Sequence, residues 1–112
     1  MSTINLVLAA AHMSTAVLLL YIMPRLADGR IGRNYFVGFR TSTSMASDEN
    51  WLAVHRYGAE VMHPWALAML TAGFITLFLP LTSTLMIFVA ALLPLLLTLV
   101  PFFKILAYSR NL

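Results

Sequence analysis

The polar segment at residues 24–60 contains three side chains that could converge to do chemistry: Arg40, Glu49 and His55. Arginine can hold a phosphate or carboxylate in bidentate geometry, and a carboxylate and an imidazole can exchange protons with a substrate. The sequence around them contains no nucleophile paired with a base and no set of metal ligands. We therefore expect recognition without catalysis, and an enzyme acting on lipid headgroups is the weaker alternative.

The histidines do not form a pattern typical of a metal site. His55 and His63, if helical, lie about 12 Å apart along the axis, which is too far for a single ion. His12 lies in the middle of an apolar segment, where an ionisable group is a candidate for function. Two roles remain open for it, a proton relay and an ordinary interhelical hydrogen bond. Interhelical hydrogen bonds are also expected of the hydroxyls of Ser14, Thr15, Thr71 and Thr76. We expect no metal and no cofactor, and the sequence assigns no role to His63.

Arg40 has two interpretations. Its guanidinium either faces an external phosphate or carboxylate, or braces the loop by pairing with Asp48, Glu49 or Glu60. Trp51 is predicted to be a packing or interfacial anchor rather than a platform for a ligand. Asn34 is predicted to close a turn or to cap the loop. On a helix, His55 should share the side of Trp51, and Arg56 should point toward the acidic residues.

Composition places the chain in a membrane. It has 112 residues, of which 61% are hydrophobic and 10% charged, whereas soluble domains carry about 25% charged residues. The chain has no cysteine, which excludes disulfides and thiolate metal sites. The net charge of +3 comes from basic residues that flank apolar segments, so it indicates membrane orientation and not nucleic-acid binding.

The apolar segments predict an all-α membrane protein with a single domain. Residues 4–23 form a first span that should end at Pro24, and residues 84–108 form a last span. Between them lies a structured cytoplasmic segment at about 24–60, mostly loop up to residue 43. Ser44 or Ser47 should then cap a helix that runs through Pro64 into a second span at about 59–80.

The basic residues predict the orientation. Five of the seven lie between the first and second spans, and the other two lie at the end of the chain. With three spans these two regions share one side, which the positive-inside rule makes cytoplasmic. The N-terminus and the turn at Pro80 then face outward.

The polar segment also resembles a family signature. The pattern is N-x-x-x-G-x-R-T, then a serine or threonine, S-x-E-x-W, and H-R or N-R. The chain matches it at Asn34, Gly38, Arg40, Thr41, Ser44, Glu49, Trp51, His55 and Arg56. This is similar to the SdpI-type immunity protein family, of which the chain looks like a short three-span member. It departs from the pattern at Ser42, where a proline is frequent, and at Ala59-Glu60, where Gly-Lys is common.

The resemblance implies a multi-pass protein of the bacterial cytoplasmic membrane. The namesake protects its bacterium against a secreted membrane-active peptide and is associated with holding a transcriptional repressor at the membrane. The implied partners, besides the lipid bilayer, are therefore a membrane-active peptide, a lipid or a cytoplasmic regulator. An accessory subunit of a larger membrane complex is the alternative. The nine residues that match the signature form the predicted binding or structural motif, with no catalytic residue among them.

Overall fold

The computed structural model describes residues 2–112, and within them it contains three long α-helices, one short 3₁₀ turn and no strand. Helix α1 spans Thr3–Ala27, the 3₁₀ turn spans Ser44–Ala46, α2 spans Asp48–Thr76 and α3 spans Thr84–Arg110. The molecule is elongated, with extents of 50 × 23 × 22 Å. The predicted all-α architecture is confirmed.

Two of these helices are long and apolar enough to cross a membrane, namely α1 and α3. Their lengths of 25 and 27 residues correspond to about 37–40 Å, which exceeds the roughly 30 Å of a hydrocarbon core. Helix α2 carries several charged residues in its first half, and it does not pass the same test. The third span therefore remains a prediction.

The first helix does not end at Pro24, as the sequence predicted. It continues to Ala27, and the backbone N–H of the C-cap residue Asp28 donates to the carbonyl of Pro24. Proline removes one intrahelical hydrogen bond, to the carbonyl four residues earlier, but it leaves the following residues free to stay helical. The prediction overestimated the power of one proline to stop an apolar helix.

The second helix begins at the capping serine and passes through its internal proline. The Ser47 side chain accepts from the Asn50 backbone N–H, and Asp48 and Glu49 lie in the first turn, where the helix dipole favours negative charge. The helix continues through Pro64 to Thr76. The expected continuity of this helix through Pro64 is confirmed, and Ser47 rather than Ser44 is the cap.

Helices α1 and α2 pack closely at small residues. Gly73 of α2 lies against α1, because a Cβ added there would come within 2.6 Å of Met13 and 3.2 Å of His12. Further along, a Cβ on Gly58 would lie 3.1 Å from Met23 and 3.4 Å from Ile105 of α3. The three helices therefore meet at Gly58.

The hydrophobic core lies at this end of the bundle, under the polar loop. Its buried members come from all three helices: Met23, Leu26, Trp51, Val54, Met62 and Ile105. In contrast, most of α3 outside its last turns is exposed, as expected for a surface that faces lipid. The core therefore supports the polar loop, and the middle of α3 contributes no residue to it.

Candidate functional site

The loop between α1 and the 3₁₀ turn is built on a tight turn at Asn34. The Asn34 Oδ1 atom accepts from the backbone N–H groups of Phe36 and Val37, at 2.8 and 2.7 Å. Its Nδ2 donates to the carbonyls of Gly32 and Val37. The turn predicted for Asn34 is confirmed. It holds the Phe36 side chain away from the protein with 90% of its surface exposed.

Gly38 follows this turn and can only be glycine without strain. Its φ of +119° lies in the left-handed region, which side chains disfavour. A Cβ at this position would also lie 2.7 Å from the Trp51 ring and 2.8 Å from His55 Nε2. The glycine therefore lets the loop backbone lie directly on two side chains of α2.

His55 is fully buried beneath the loop, and backbone groups engage both of its ring nitrogens. Nδ1 lies 2.7 Å from the Trp51 carbonyl, to which it must donate, and Nε2 accepts from the Phe39 backbone N–H at 2.9 Å. This pattern requires the neutral ring with its proton on Nδ1. Burial lowers the pKa of His55, and the bond to the Trp51 carbonyl opposes that shift. The neutral ring thus works as a structural connector.

Trp51 completes the support for the loop. Its indole lies with its ring centroid 4.1 Å from that of His55, and it is 1% exposed. The Nε1–H group donates to the Ile31 carbonyl at 3.0 Å, which ties the start of the loop to α2. The packing role predicted for Trp51 is confirmed, because a side chain this deeply buried offers no face to a ligand.

The signature hydroxyls connect the loop to the last turn of α3. Thr41 Oγ1 and Ser109 Oγ lie 2.6 Å apart. Ser44 donates from its backbone N–H to Thr41 Oγ1 and from its hydroxyl to the Phe39 carbonyl. Phe39 also packs on Phe102 of α3, with ring centroids 5.9 Å apart. Thr41 and Ser44 therefore fix where α3 ends relative to the loop.

The predicted brace through Arg40 is wrong. The ion pair that joins loop and helix is formed by Arg33 Nε and Asp48 Oδ1, 2.7 Å apart. Arg33 also donates to the Met45 carbonyl. Arg40 is exposed, with its guanidinium 5.7 Å from the centroid of the Tyr35 ring. The path of the folded loop brings position 33 beside the start of α2, a relationship that sequence spacing does not reveal.

The three side chains that could do chemistry do not form one site. His55 is buried with both nitrogens occupied, whereas Arg40 and Glu49 are exposed. Arg56 of α2 is also exposed. Among residues 2–112 no group of three or more histidine, cysteine, aspartate or glutamate side chains is arranged to hold a metal ion. What the loop presents outward is Arg40 with the neighbouring rings of Tyr35 and Phe36.

His12 has a structural partner within the bundle. Its Nε2 lies 2.9 Å from the Ala90 carbonyl on α3, which confirms an interhelical hydrogen bond. The hydroxyls expected to behave alike do not. The side chains of Ser14 and Thr15 donate to the Ala11 carbonyl of their own helix, and those of Thr71 and Thr76 also bond within α2. Such back-bonding satisfies a hydroxyl without a partner helix.

Sequence reasoning missed other contacts that hold the site together. Ile31 contributes only a carbonyl, which no side-chain pattern can show. Ser109 lies 68 positions from its partner Thr41, at the end of an apolar helix. Tyr57 and Tyr108 stack with ring centroids 4.2 Å apart. In the sequence, only the fact that both are aromatic could have suggested this contact.

Comparison with known proteins identifies the family to which this loop and its helices belong. A sequence model of the SdpI/YfhL protein family matches residues 30–103, which is well over half of the chain and includes all nine signature residues. No curated protein and no solved structure matches the chain. The match covers the loop, α2 and most of α3, the elements that the buried Trp51–His55 pair holds together. On this evidence the chain is a membrane protein that belongs to the SdpI/YfhL family.

Proposed function

We propose that this protein is a three-span protein of the bacterial cytoplasmic membrane that recognises a membrane-active peptide, a lipid or a regulatory protein without catalysing a reaction. In this arrangement α2 forms the second span, the N-terminus faces outward, and the loop and the C-terminus are cytoplasmic. Family membership and the apolar helices support the membrane part of the proposal. The distribution of basic residues supports the orientation.

One observation carries the recognition part. The loop backbone is held by hydrogen bonds with the side chains of Trp51, His55 and Ser44, yet the loop tip exposes Phe36 and, at 75% exposure, Tyr35. Arg40 lies beside these rings. A pre-ordered loop loses little entropy on binding, and exposed aromatic and arginine side chains are the residue types that dominate binding interfaces. The loop therefore has the construction of a recognition surface.

Expression in a host that is sensitive to a membrane-active peptide toxin tests the immunity form of the proposal. We expect the wild type to improve survival, and Phe36→Ala and Arg40→Ala to remove that protection while the protein remains in the membrane. Phe103→Ala is the matched control, because Phe103 is 60% exposed on α3 and lies outside the loop. Unchanged killing with the wild type would contradict toxin immunity.

Affinity purification in a mild detergent, followed by mass spectrometry of bound proteins and lipids, identifies the partner. A binding module should retain a ligand that Phe36→Ala releases. Stoichiometric recovery of several unrelated membrane subunits, unaffected by Phe36→Ala, would instead support the accessory-subunit alternative.

A further inference from the structure

A groove between α1 and α2 runs from an apolar region to the polar end of both helices. Its apolar part is lined by Leu20 and Met23 of α1 and by Met62 of α2. Its polar part is lined by Asp28 and by two charged residues of α2, Arg56 and Glu60. Both parts share Pro24, Ala59 and His63. The groove is therefore continuous from one part to the other.

The groove changes character where α1 leaves its apolar run. Residues 4–23 of α1 contain no charged side chain, and Arg25 and Asp28 follow within the next turn. The apolar part of the groove thus lies at the depth of acyl chains, and the polar part lies at the depth of lipid headgroups. A molecule that fills both parts must be amphiphilic.

The charges of the polar part call for a ligand with both signs. Arg56 and Glu60 are exposed and lie one helical turn apart, and within residues 2–112 neither is in an ion pair. Asp28 is already bound to Arg30 at 2.6 Å. The free groups are therefore one guanidinium, which suits a phosphate, and one carboxylate, which suits a cation.

Two prolines leave hydrogen-bond acceptors free on residues that line the groove. Pro24 and Pro64 have no N–H, so the carbonyls of Leu20 and Glu60 lack the usual donor four residues later. Both residues line the groove, and no side chain of the described residues 2–112 donates to either carbonyl. A primary ammonium with three N–H donors can satisfy these carbonyls together with the Glu60 carboxylate.

We propose that this groove binds a phospholipid with a phosphoethanolamine headgroup. The phosphate lies at Arg56, the ammonium lies at Glu60 and the two freed carbonyls, and one acyl chain lies along the half-buried side chains of Leu19 and Leu20. The site rests on α1 being in the membrane and is independent of recognition by the loop. A quaternary trimethylammonium headgroup has no N–H to offer, so the site should discriminate against it.

Lipid retention tests the proposal. The full chain is reconstituted into vesicles with equal parts phosphatidylethanolamine, phosphatidylcholine and phosphatidylglycerol, extracted in mild detergent, and its retained lipids are counted by native mass spectrometry. We expect phosphatidylethanolamine to be retained about two- to fivefold over phosphatidylcholine, the range for partly exposed charge pairs. N-methylated phosphatidylethanolamines should fall between them in the order of their N–H number.

Two variants test separately the binding of the ammonium and of the phosphate of the headgroup. Glu60→Gln should remove the preference for phosphatidylethanolamine over phosphatidylcholine, and Arg56→Gln should lower the retention of all three lipids. Glu49→Gln and Lys104→Gln are the matched controls, because both residues are exposed and lie outside the groove; they should change neither. Trp51 fluorescence in a Trp65→Phe background reports whether the loop stays intact in each variant.

Equal retention of phosphatidylethanolamine and phosphatidylcholine by the wild type would overturn the proposal, as would an equal effect of Glu49→Gln and Glu60→Gln. If a variant does not fold, the N-methylation series on the wild-type protein still decides the matter. Loss of toxin protection by Phe36→Ala with unchanged lipid retention would show that the loop and the groove act separately.

Discussion

His12 on α1 donates from Nε2 to the carbonyl oxygen of Ala90 on α3, 2.9 Å away. That carbonyl is the one that Pro94 deprives of its intrahelical donor, because proline four residues later has no N–H. The histidine therefore replaces a missing backbone hydrogen bond and joins two helices at the same point. A polar residue buried at 3% exposure in an apolar helix is explained by this structural role.

The hydrogen bond from His12 to the Ala90 carbonyl predicts that substitutions of His12 and Pro94 are not additive. His12→Leu should lower the free energy of unfolding by about 1–2 kcal/mol, near the upper end for interhelical hydrogen bonds in membranes, because the Ala90 carbonyl loses its partner. In a Pro94→Ala background the same change should cost less, since the substituted alanine supplies a backbone N–H to that carbonyl. Denaturant titration in detergent measures both. Thr15→Val is the control, as its hydroxyl bonds within α1; equal costs in the two backgrounds would contradict the assignment.

The loop should depend on Gly38 and not on Gly32, another glycine of the same loop. Gly38→Ala combines a φ of +119° with contacts under 3 Å to Trp51 and His55, so we expect a cost of about 1–3 kcal/mol in loop stability. Gly32→Ala should have little effect, because a Cβ there meets nothing within 4 Å. Denaturant titration followed by the fluorescence of the buried Trp51, in a Trp65→Phe background, measures the stability of the loop. Equal unfolding midpoints for the two glycine variants would count against the packing described.

Acid should loosen the loop through His55. Burial holds the pKa of its folded form below the ordinary value of about 6.5. The contribution to stability is therefore complete above that pH and falls as the pH drops below it, because the unfolded state takes up a proton that the folded state excludes. Protonation would also replace the Nε2 acceptor with a donor facing the Phe39 N–H.

Trp51 fluorescence in a Trp65→Phe background, in which Trp51 is the remaining tryptophan, follows this transition between about pH 7.5 and 5, on either side of the ordinary histidine pKa. His63→Gln should leave the transition in place, since His63 is exposed. His55→Gln should abolish it or start from an already loosened loop. A signal that does not change with pH in the wild type would rule out the neutral-ring arrangement.

The three-span arrangement makes a simple labelling prediction. With α2 across the membrane, a cysteine at Ser42 should react with an impermeant reagent from the cytoplasmic side, and one at Thr82 should react from outside. If α2 instead lies on the membrane surface, the two positions should react from the same side. Intact cells and inside-out vesicles that carry each single cysteine decide between these outcomes. Labelling of Ser42→Cys from outside intact cells would reverse the proposed orientation.

The helices could be predicted from the sequence because they depend on local and compositional physics. A long apolar run cannot be left in water, and backbone groups in lipid must bond within a helix. The cap at Ser47 and the turn at Asn34 also follow from short-range hydrogen bonding. The family signature marked the loop as ordered, with Gly38, Trp51 and His55 among its residues.

Only the tertiary structure decided which of these residues touch each other. Three contacts join residues that are far apart in the chain. Asp48 pairs with Arg33 and not with Arg40, Thr41 contacts Ser109, and His12 bonds to Ala90. Such pairings depend on where three helices converge and on the path of a loop across them, and side-chain type and spacing carry no information on either. Sequence alone therefore determined that a polar loop is held at the end of an apolar bundle, and packing at Gly58 and Gly38 decided how it is held.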